Sequence, residues 1–204
     1  MMDLYKFGRA VTGALFHVMF RFGKTGVENI PEQGPVILAV NHSSNLDPIA
    51  VGITCPRKVR FMAKAELFEN KLFGRLISNL GAFAVHRGRG DIGAIKAAFG
   101  IFKDNGVLLI FPEGGRVTKK HPNRRSKPGV IMMAQRAQVP VIPVLIDGRY
   151  RWMGKITVRY GKPVTYEEYA EQKLTGEQMQ ELADELLERI YAQGEKKNLS
   201  GGKA

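Results

Sequence analysis

Residues 36–48 read Val36-Ile37-Leu38-Ala39-Val40-Asn41-His42-Ser43-Ser44-Asn45-Leu46-Asp47-Pro48. The first five are apolar and β-type without alternation, the pattern of a strand buried on both faces. A polar turn follows, and Asp47-Pro48 is a helix start. The same grammar recurs along the chain. Apolar runs at Val59–Met62, Ala82–Val85, Val107–Phe111, Val141–Ile146 and Ile156–Tyr160 alternate with helical segments near Asn70–Leu80, Asp91–Lys103 and Val130–Ala137. Strands apolar throughout and separated by helices predict an α/β fold with a mostly parallel central sheet flanked by helices. The loops after such strands gather at one edge of the sheet, where open α/β folds bind ligands.

Chain length and composition agree with this. The 204 residues, 44% of them hydrophobic, suffice for one sizeable core. The single cysteine, Cys55, excludes an internal disulfide and a paired-thiol metal site, and fits a reducing compartment. Net charge is +12, unevenly placed: residues 1–166 carry 26 basic and 10 acidic side chains, residues 167–204 carry 5 and 9. Such a field attracts anions, whether nucleic acid, lipid headgroups or phosphorylated substrates.

At the N-terminus the apolar run Val11–Phe20 is too short to span a bilayer, which takes roughly 20 residues. No small-residue cleavage site follows it, so a secretory signal is set aside. On a helical wheel Leu4, Phe7, Val11, Leu15, Val18 and Phe22 share one face, and Lys6, Arg9, Gly13, His17 and Arg21 the opposite one. The apolar face could pack on the core; the cationic polar face favours an interfacial helix. Residues 23–34 read as a loop, and residues 175–193 as a second amphipathic helix that closes the domain. The segment Arg116–Lys127, with six basic residues and no acidic one, reads as an exposed loop. The expected organisation is an amphipathic membrane-associating helix at 1–22, a domain at 23–194 and a disordered tail at 195–204.

Four segments could carry chemistry. In Asn41–Pro48, a histidine at a strand end can reach a substrate, and a carboxylate five residues on can hold its far ring nitrogen, leaving the near one as a base. His86 and Asp91 have the same spacing, but no helix-starting proline follows that aspartate, so the second pair reads as chance. Gly88-Arg89-Gly90-Asp91-Ile92-Gly93 fits a dinucleotide-binding turn, with Glu113 about 20 residues on. Against that reading, Glu113 itself opens another glycine turn. Phe111-Pro112-Glu113-Gly114-Gly115-Arg116 runs from a buried strand into a turn whose amides can approach an anion, with Arg116 as a bidentate phosphate clamp. Val139-Pro140-Val141-Ile142-Pro143 fits either a substrate-lining strand or an edge strand.

In their order and approximate spacing, these segments resemble the four signature blocks of the glycerolipid acyltransferase family, most nearly the 1-acylglycerol-3-phosphate acyltransferases. The blocks correspond to Asn41–Pro48; to Gly81, Phe83 and Arg87; to Phe111–Arg116; and to Val139–Pro143. Gly26–Pro31 and Phe61–Leu67 resemble flanking segments, and the likeness covers roughly residues 20–165. One departure is Gly115, where the third block usually has a hydroxyl residue.

The resemblance implies acyl transfer from acyl-coenzyme A or acyl carrier protein to the free hydroxyl of lysophosphatidic acid, a step of phospholipid synthesis. It implies no cofactor and no metal, because the donor is itself a substrate. His42 and Asp47 would be catalytic, with Arg87, Arg116 and Lys64 holding phosphate together with Gly114. Glu113 would either bond the glycerol part or pin its own turn. Expected partners are the lipid substrates, acyl carrier protein and an anionic membrane surface on the cytoplasmic face, with no nucleic acid. Glycerol-3-phosphate or another lysophospholipid is the alternative acceptor, and a dinucleotide-dependent oxidoreductase the alternative class.

Overall fold

A computed structural model of the chain describes residues 4–85, 92–117 and 125–195. The elements run α1 (Leu4–Met19), β1 (Arg21–Thr25), β2 (Val36–Val40), α2 (Asp47–Thr54), β3 (Val59–Lys64), α3 (Lys71–Asn79) and β4 (Ala82–Val85). They continue with α4 (Ile92–Lys103), β5 (Val107–Ile110), α5 (Gly129–Ala137), β6 (Val141–Gly148), β7 (Lys155–Tyr160) and α6 (Gly176–Glu195). Among the described residues the strands form one sheet in the order β1-β7-β6-β2-β5-β3-β4.

From β6 to β4 every neighbouring pair is parallel. This is the expected α/β architecture, with two additions. The β7 strand returns antiparallel to β6, and β1 lies parallel to β7 at the outer edge. Residues 21–25 thus belong to the sheet, although residues 23–25 fall in the segment expected as loop. Strand β1 pairs on one side only and stays half-buried or exposed along its length, so it carries no apolar run that could reveal it.

The core divides at the sheet. Ile37, Ala39, Leu108, Ile110 and Leu145 pack on one face under α4, α5 and α6. Val36, Leu38, Val40, Leu109, Ile142 and Val144 pack on the other, with α1 and α2 residues above them. Both sides of each central strand are therefore dry, which is why those strands read as unbroken apolar runs. Strand β6 lies between β7 and β2, so the edge-strand reading of Val139–Pro143 is corrected. Pro143 is tolerated there because pairing with β7 begins only at Val144.

Helix α1 has two apolar faces. Tyr5 and Phe16 are buried, as is Phe20 just past the helix end, and Arg9 donates from Nε to the Ile53 carbonyl at the end of α2. The opposite stripe faces solvent: Phe7, Val11, Leu15 and Val18 are 47, 51, 53 and 65% exposed. Gly13, which the wheel placed on the polar side, is buried beside Ile53, and Phe22 lies in β1. Phe16 and Phe20 join the core of the domain, although they fall within the segment, 1–22, that the sequence reading set apart. None of the described helices is long and apolar enough to cross a membrane.

Candidate active site

Strand β2 lies between β6 and β5, yet the chain leaves it for β3, beyond β5. The C-terminal ends of β2, β5 and β6 therefore open onto one edge at a topological switch point, the place where such sheets form crevices. His42 is the second residue past β2. Its Nδ1 lies 3.0 Å from Oδ2 of Asp47, the first residue of α2, whose helix begins with Pro48 near its N-terminus.

The tautomer follows from the surroundings of Asp47. This carboxylate is fully buried, and the same Oδ2 accepts the backbone N–H groups of Ser43 and Ser44, each at 2.7 Å. An oxygen receiving those donors remains an acceptor, so His42 Nδ1 carries the proton and Nε2 keeps its lone pair. A buried carboxylate needs such compensation, and the turn preceding α2 supplies it from the main chain. The other oxygen, Oδ1, accepts from the Tyr150 hydroxyl at 2.9 Å. Burial, with the charge of Asp47 beside it, raises the ionisation of Tyr150 well above the usual tyrosine range, so it stays a donor.

His42 is fixed by the loop after β5 as well. Its imidazole stacks on Phe111, ring centroids 3.8 Å apart and 16° from parallel. Its backbone N–H donates to Glu113 Oε2 at 2.7 Å, and its carbonyl accepts from Val117 N–H at 2.7 Å. Glu113 is buried, and its Oε1 accepts from the Tyr191 hydroxyl on α6 at 2.5 Å. The carboxylate thus ties block three to block one and to the closing helix. Asn41 ties block one to β6, accepting from Ile146 N–H at 2.7 Å and donating to its carbonyl at 3.2 Å.

In the turn itself Gly114 has φ +67°, a left-handed conformation that favours glycine, and a Cβ there would press on the Lys127 side chain at 3.2 Å. Gly115 has open space where a Cβ would go, so the missing hydroxyl residue is not a steric necessity. Arg116 is exposed at the end of the turn, and Lys64 is exposed at the end of β3, on the same sheet edge. Arg87, His86 and the Gly88–Asp91 part of the glycine-rich motif lie outside the described residues. Both oxygens of Glu113 serve His42 and Tyr191, which counts against a ribose-binding role.

The structure therefore brings together His42, Asp47, Glu113 and Gly114, with Arg116 at the rim of the same turn. Sequence reasoning missed Tyr150 and Tyr191. Tyr150 follows no motif and meets a residue 103 positions away; Tyr191 adjoins the apolar stripe of α6 and reaches 78 positions back. Cys55, the one thiol, caps α2 fully buried. Burial raises its ionisation above the ordinary thiol value, which disfavours the nucleophilic thiolate.

Fold and site together define an α/β protein with a His–Asp dyad at the switch point of its sheet. Residues 21–147 match the family described as Acyltransferase. A protein of Bacillus subtilis (strain 168) named 1-acyl-sn-glycerol-3-phosphate acyltransferase is 30% identical over 149 residues, 70% of this chain and 73% of that one. A protein of the same name from Streptococcus pneumoniae is 32% identical over 145 residues, 67% of this chain but only 53% of its own length. The crystal structure of the 1-acyl-sn-glycerophosphate (LPA) acyltransferase PlsC from Thermotoga maritima shares the fold, with a TM-score of 0.70. That match has 24% identity and covers 98% of this chain and 80% of that one. The chain belongs to the acyltransferase family.

Proposed function

We propose that this acyltransferase moves a fatty acyl group from a thioester to the free hydroxyl of 1-acylglycerol-3-phosphate, with His42 as general base. The observation that carries the reading is the 3.0 Å bond from His42 Nδ1 to Asp47 Oδ2, which leaves Nε2 free for a hydroxyl proton. Relatives named for this reaction support the choice of acceptor.

In the reaction the acceptor oxygen attacks the thioester carbonyl as its proton passes to Nε2. The imidazolium so formed is stabilised by Asp47. Collapse of the tetrahedral intermediate breaks the C–S bond, and the proton from Nε2 leaves with the thiol. The new O–C bond remains in the ester product. The acceptor hydroxyl takes the place that a serine holds in a full triad, so both substrates are bound together. Its phosphate is held by Arg116, with Arg87 and Lys64 as further cations, and charge-assisted bonds of this kind are among the stronger available. Acyl-coenzyme A and acyl carrier protein both offer the required thioester.

The reading also places the protein at a membrane surface on the cytoplasmic side. The exposed stripe of Phe7, Val11, Leu15 and Val18 supports it, as do exposed Trp152 and Met153 in the β6–β7 turn. That turn touches the end of α1, with Met153 N–H donating to the Met19 carbonyl. Apolar side chains beside lysines and arginines suit the headgroup boundary of an anionic bilayer.

The test is a matrix of both donors against 1-acylglycerol-3-phosphate, glycerol-3-phosphate and a zwitterionic lysophospholipid, with products weighed by mass spectrometry. Fastest acylation of 1-acylglycerol-3-phosphate is the expected result. Preference for either other acceptor overturns the assignment.

A further inference from the structure

The Tyr150 hydroxyl bonds to the carboxylate oxygen that His42 does not use, 2.9 Å from Asp47 Oδ1. Its ring stands edge-on to Phe20 at 5.6 Å and to Phe16 at 6.4 Å between centroids, and those two rings meet edge to face at 5.3 Å. Phe16 lies in α1 and Phe20 just past its end. The turn that carries Tyr150 is fastened to the same place: Met153 N–H bonds to the Met19 carbonyl and Arg21 N–H to the Gly154 carbonyl. An unbroken chain of contacts thus runs from α1 through Tyr150 and Asp47 to His42.

The carboxylate torsion of aspartate is soft and broadly populated. The donors His42, Ser43 and Ser44 all converge on Oδ2, so they locate one oxygen without setting the plane of the group. A donor on Oδ1 sets that plane, and with it the direction of the lone pair offered to His42. Edge-to-face aromatic contacts hold a ring in a defined orientation, so Phe16 and Phe20 decide where the Tyr150 hydroxyl stands.

We propose that Tyr150 is a positioning residue for the His42–Asp47 dyad, and that α1 sets its place through Phe16 and Phe20. The exposed face of α1 is the surface assigned above to the membrane, so the seating of that helix and the alignment of the base share one set of contacts. The inference rests on the reading of His42 as the base.

The test compares Tyr150→Phe, which keeps the ring and removes the hydroxyl, with Phe20→Leu, which keeps the hydroxyl and loosens the ring. Full-length proteins are assayed below their melting temperatures. For Tyr150→Phe we expect kcat to fall roughly tenfold, the scale of one hydrogen bond to a charged group, while KM for both substrates stays within twofold. The acid limb of the kcat/KM profile should move to higher pH, because a carboxylate without the Tyr150 donor on Oδ1 holds the protonated imidazole more strongly. The His42 ring N–H resonance should shift or broaden. Phe20→Leu should reproduce part of the kcat loss, again without a change in KM.

A Tyr150→Phe enzyme with kcat within twofold of the parent overturns the proposal. So does a kcat loss that leaves both the pH profile and the His42 resonance unchanged, since that pattern belongs to a purely structural tyrosine. A Phe20→Leu enzyme with full kcat removes the α1 part. Failure of the underlying reading is distinguishable, because His42→Ala would then remain active; failure of the inference alone leaves His42→Ala inactive beside an unimpaired Tyr150→Phe.

Discussion

Replacing Asp47 by Asn should remove a charge while leaving the turn in place. The amide can be seated in one way only. Ser43 N–H, Ser44 N–H and His42 Nδ1 all point at Oδ2, so the amide oxygen must take that position and the NH2 group must face Tyr150, whose hydroxyl can rotate to accept. The backbone bonds survive, and the melting temperature should change little. What disappears is the attraction between the carboxylate and the imidazolium that forms as the acceptor loses its proton. Two unit charges 3.0 Å apart at an effective dielectric near 20 attract by about 5.5 kcal/mol. The proton is only partly transferred in the transition state and the amide dipole recovers some of the loss, so about 3–5 kcal/mol is expected. At 1.36 kcal/mol per decade this is a fall in kcat of about two to four powers of ten. The assay follows thiol release from the donor at saturating acceptor, with the melting temperature measured in parallel. A folded Asp47→Asn enzyme that keeps kcat within threefold would refute the base assignment, since the charge would then contribute nothing to the rate.

Arg116→Ala should raise KM for the phosphorylated acceptor about tenfold to a hundredfold, from the roughly 1.5–3 kcal/mol of a charge-assisted bond, and leave KM for the donor near its parent value; steady-state kinetics with each substrate varied decides between them. Substituting Val11, Leu15 and Val18 by Ser should abolish sedimentation with anionic vesicles while the circular dichroism and melting temperature stay close to the parent, because these side chains are exposed. Truncating residues 1–20 would be a poorer test, since it also strips Tyr5, Phe16 and Phe20 from buried positions. Enzyme mixed with acyl donor alone should show no acyl adduct by intact-mass spectrometry, and Cys55→Ala should retain most activity. An adduct that forms on the donor and disappears with acceptor would establish a covalent route instead.

How much of this was legible in the sequence depended on burial and on range. Strands β2, β5 and β6 are dry on both faces, so their apolar runs announced a parallel sheet, and the segment after β2 announced a site. Direction was not legible: the run at Ile156–Tyr160 looks like its neighbours, yet β7 is antiparallel, because a buried strand reads alike in either sense. Strand β1 offered no pattern, being an edge that pairs once. In α1 the apolar stripe that stands out in the sequence, Phe7, Val11, Leu15 and Val18, is the face left in solvent, whereas the helix docks through Tyr5 and Phe16, with Phe20 buried just past its end.

At the site, spacing alone described His42–Asp47 and His86–Asp91 equally well. The Pro48 helix start favours the first pair, and the third block and the residue after it hold the His42 backbone through Glu113 and Val117. Tyr150 and Tyr191 were invisible because a contact spanning 103 or 78 residues leaves no local trace in a single sequence. Glu113 was recognised as part of the site, but its two bonds emerged only when three separate elements met around it.

The central claim is that His42 is the base for acyl transfer to a lipid hydroxyl. It is tested most directly by the initial rate of diacylglycerol-phosphate formation from 1-acylglycerol-3-phosphate and an acyl thioester, measured for the parent, His42→Ala and His86→Ala. The account predicts product from the parent, a loss of about a hundredfold to ten-thousandfold in His42→Ala, and most of the parent rate in His86→Ala. Equal losses in the two variants, or the larger loss in His86→Ala, would contradict it.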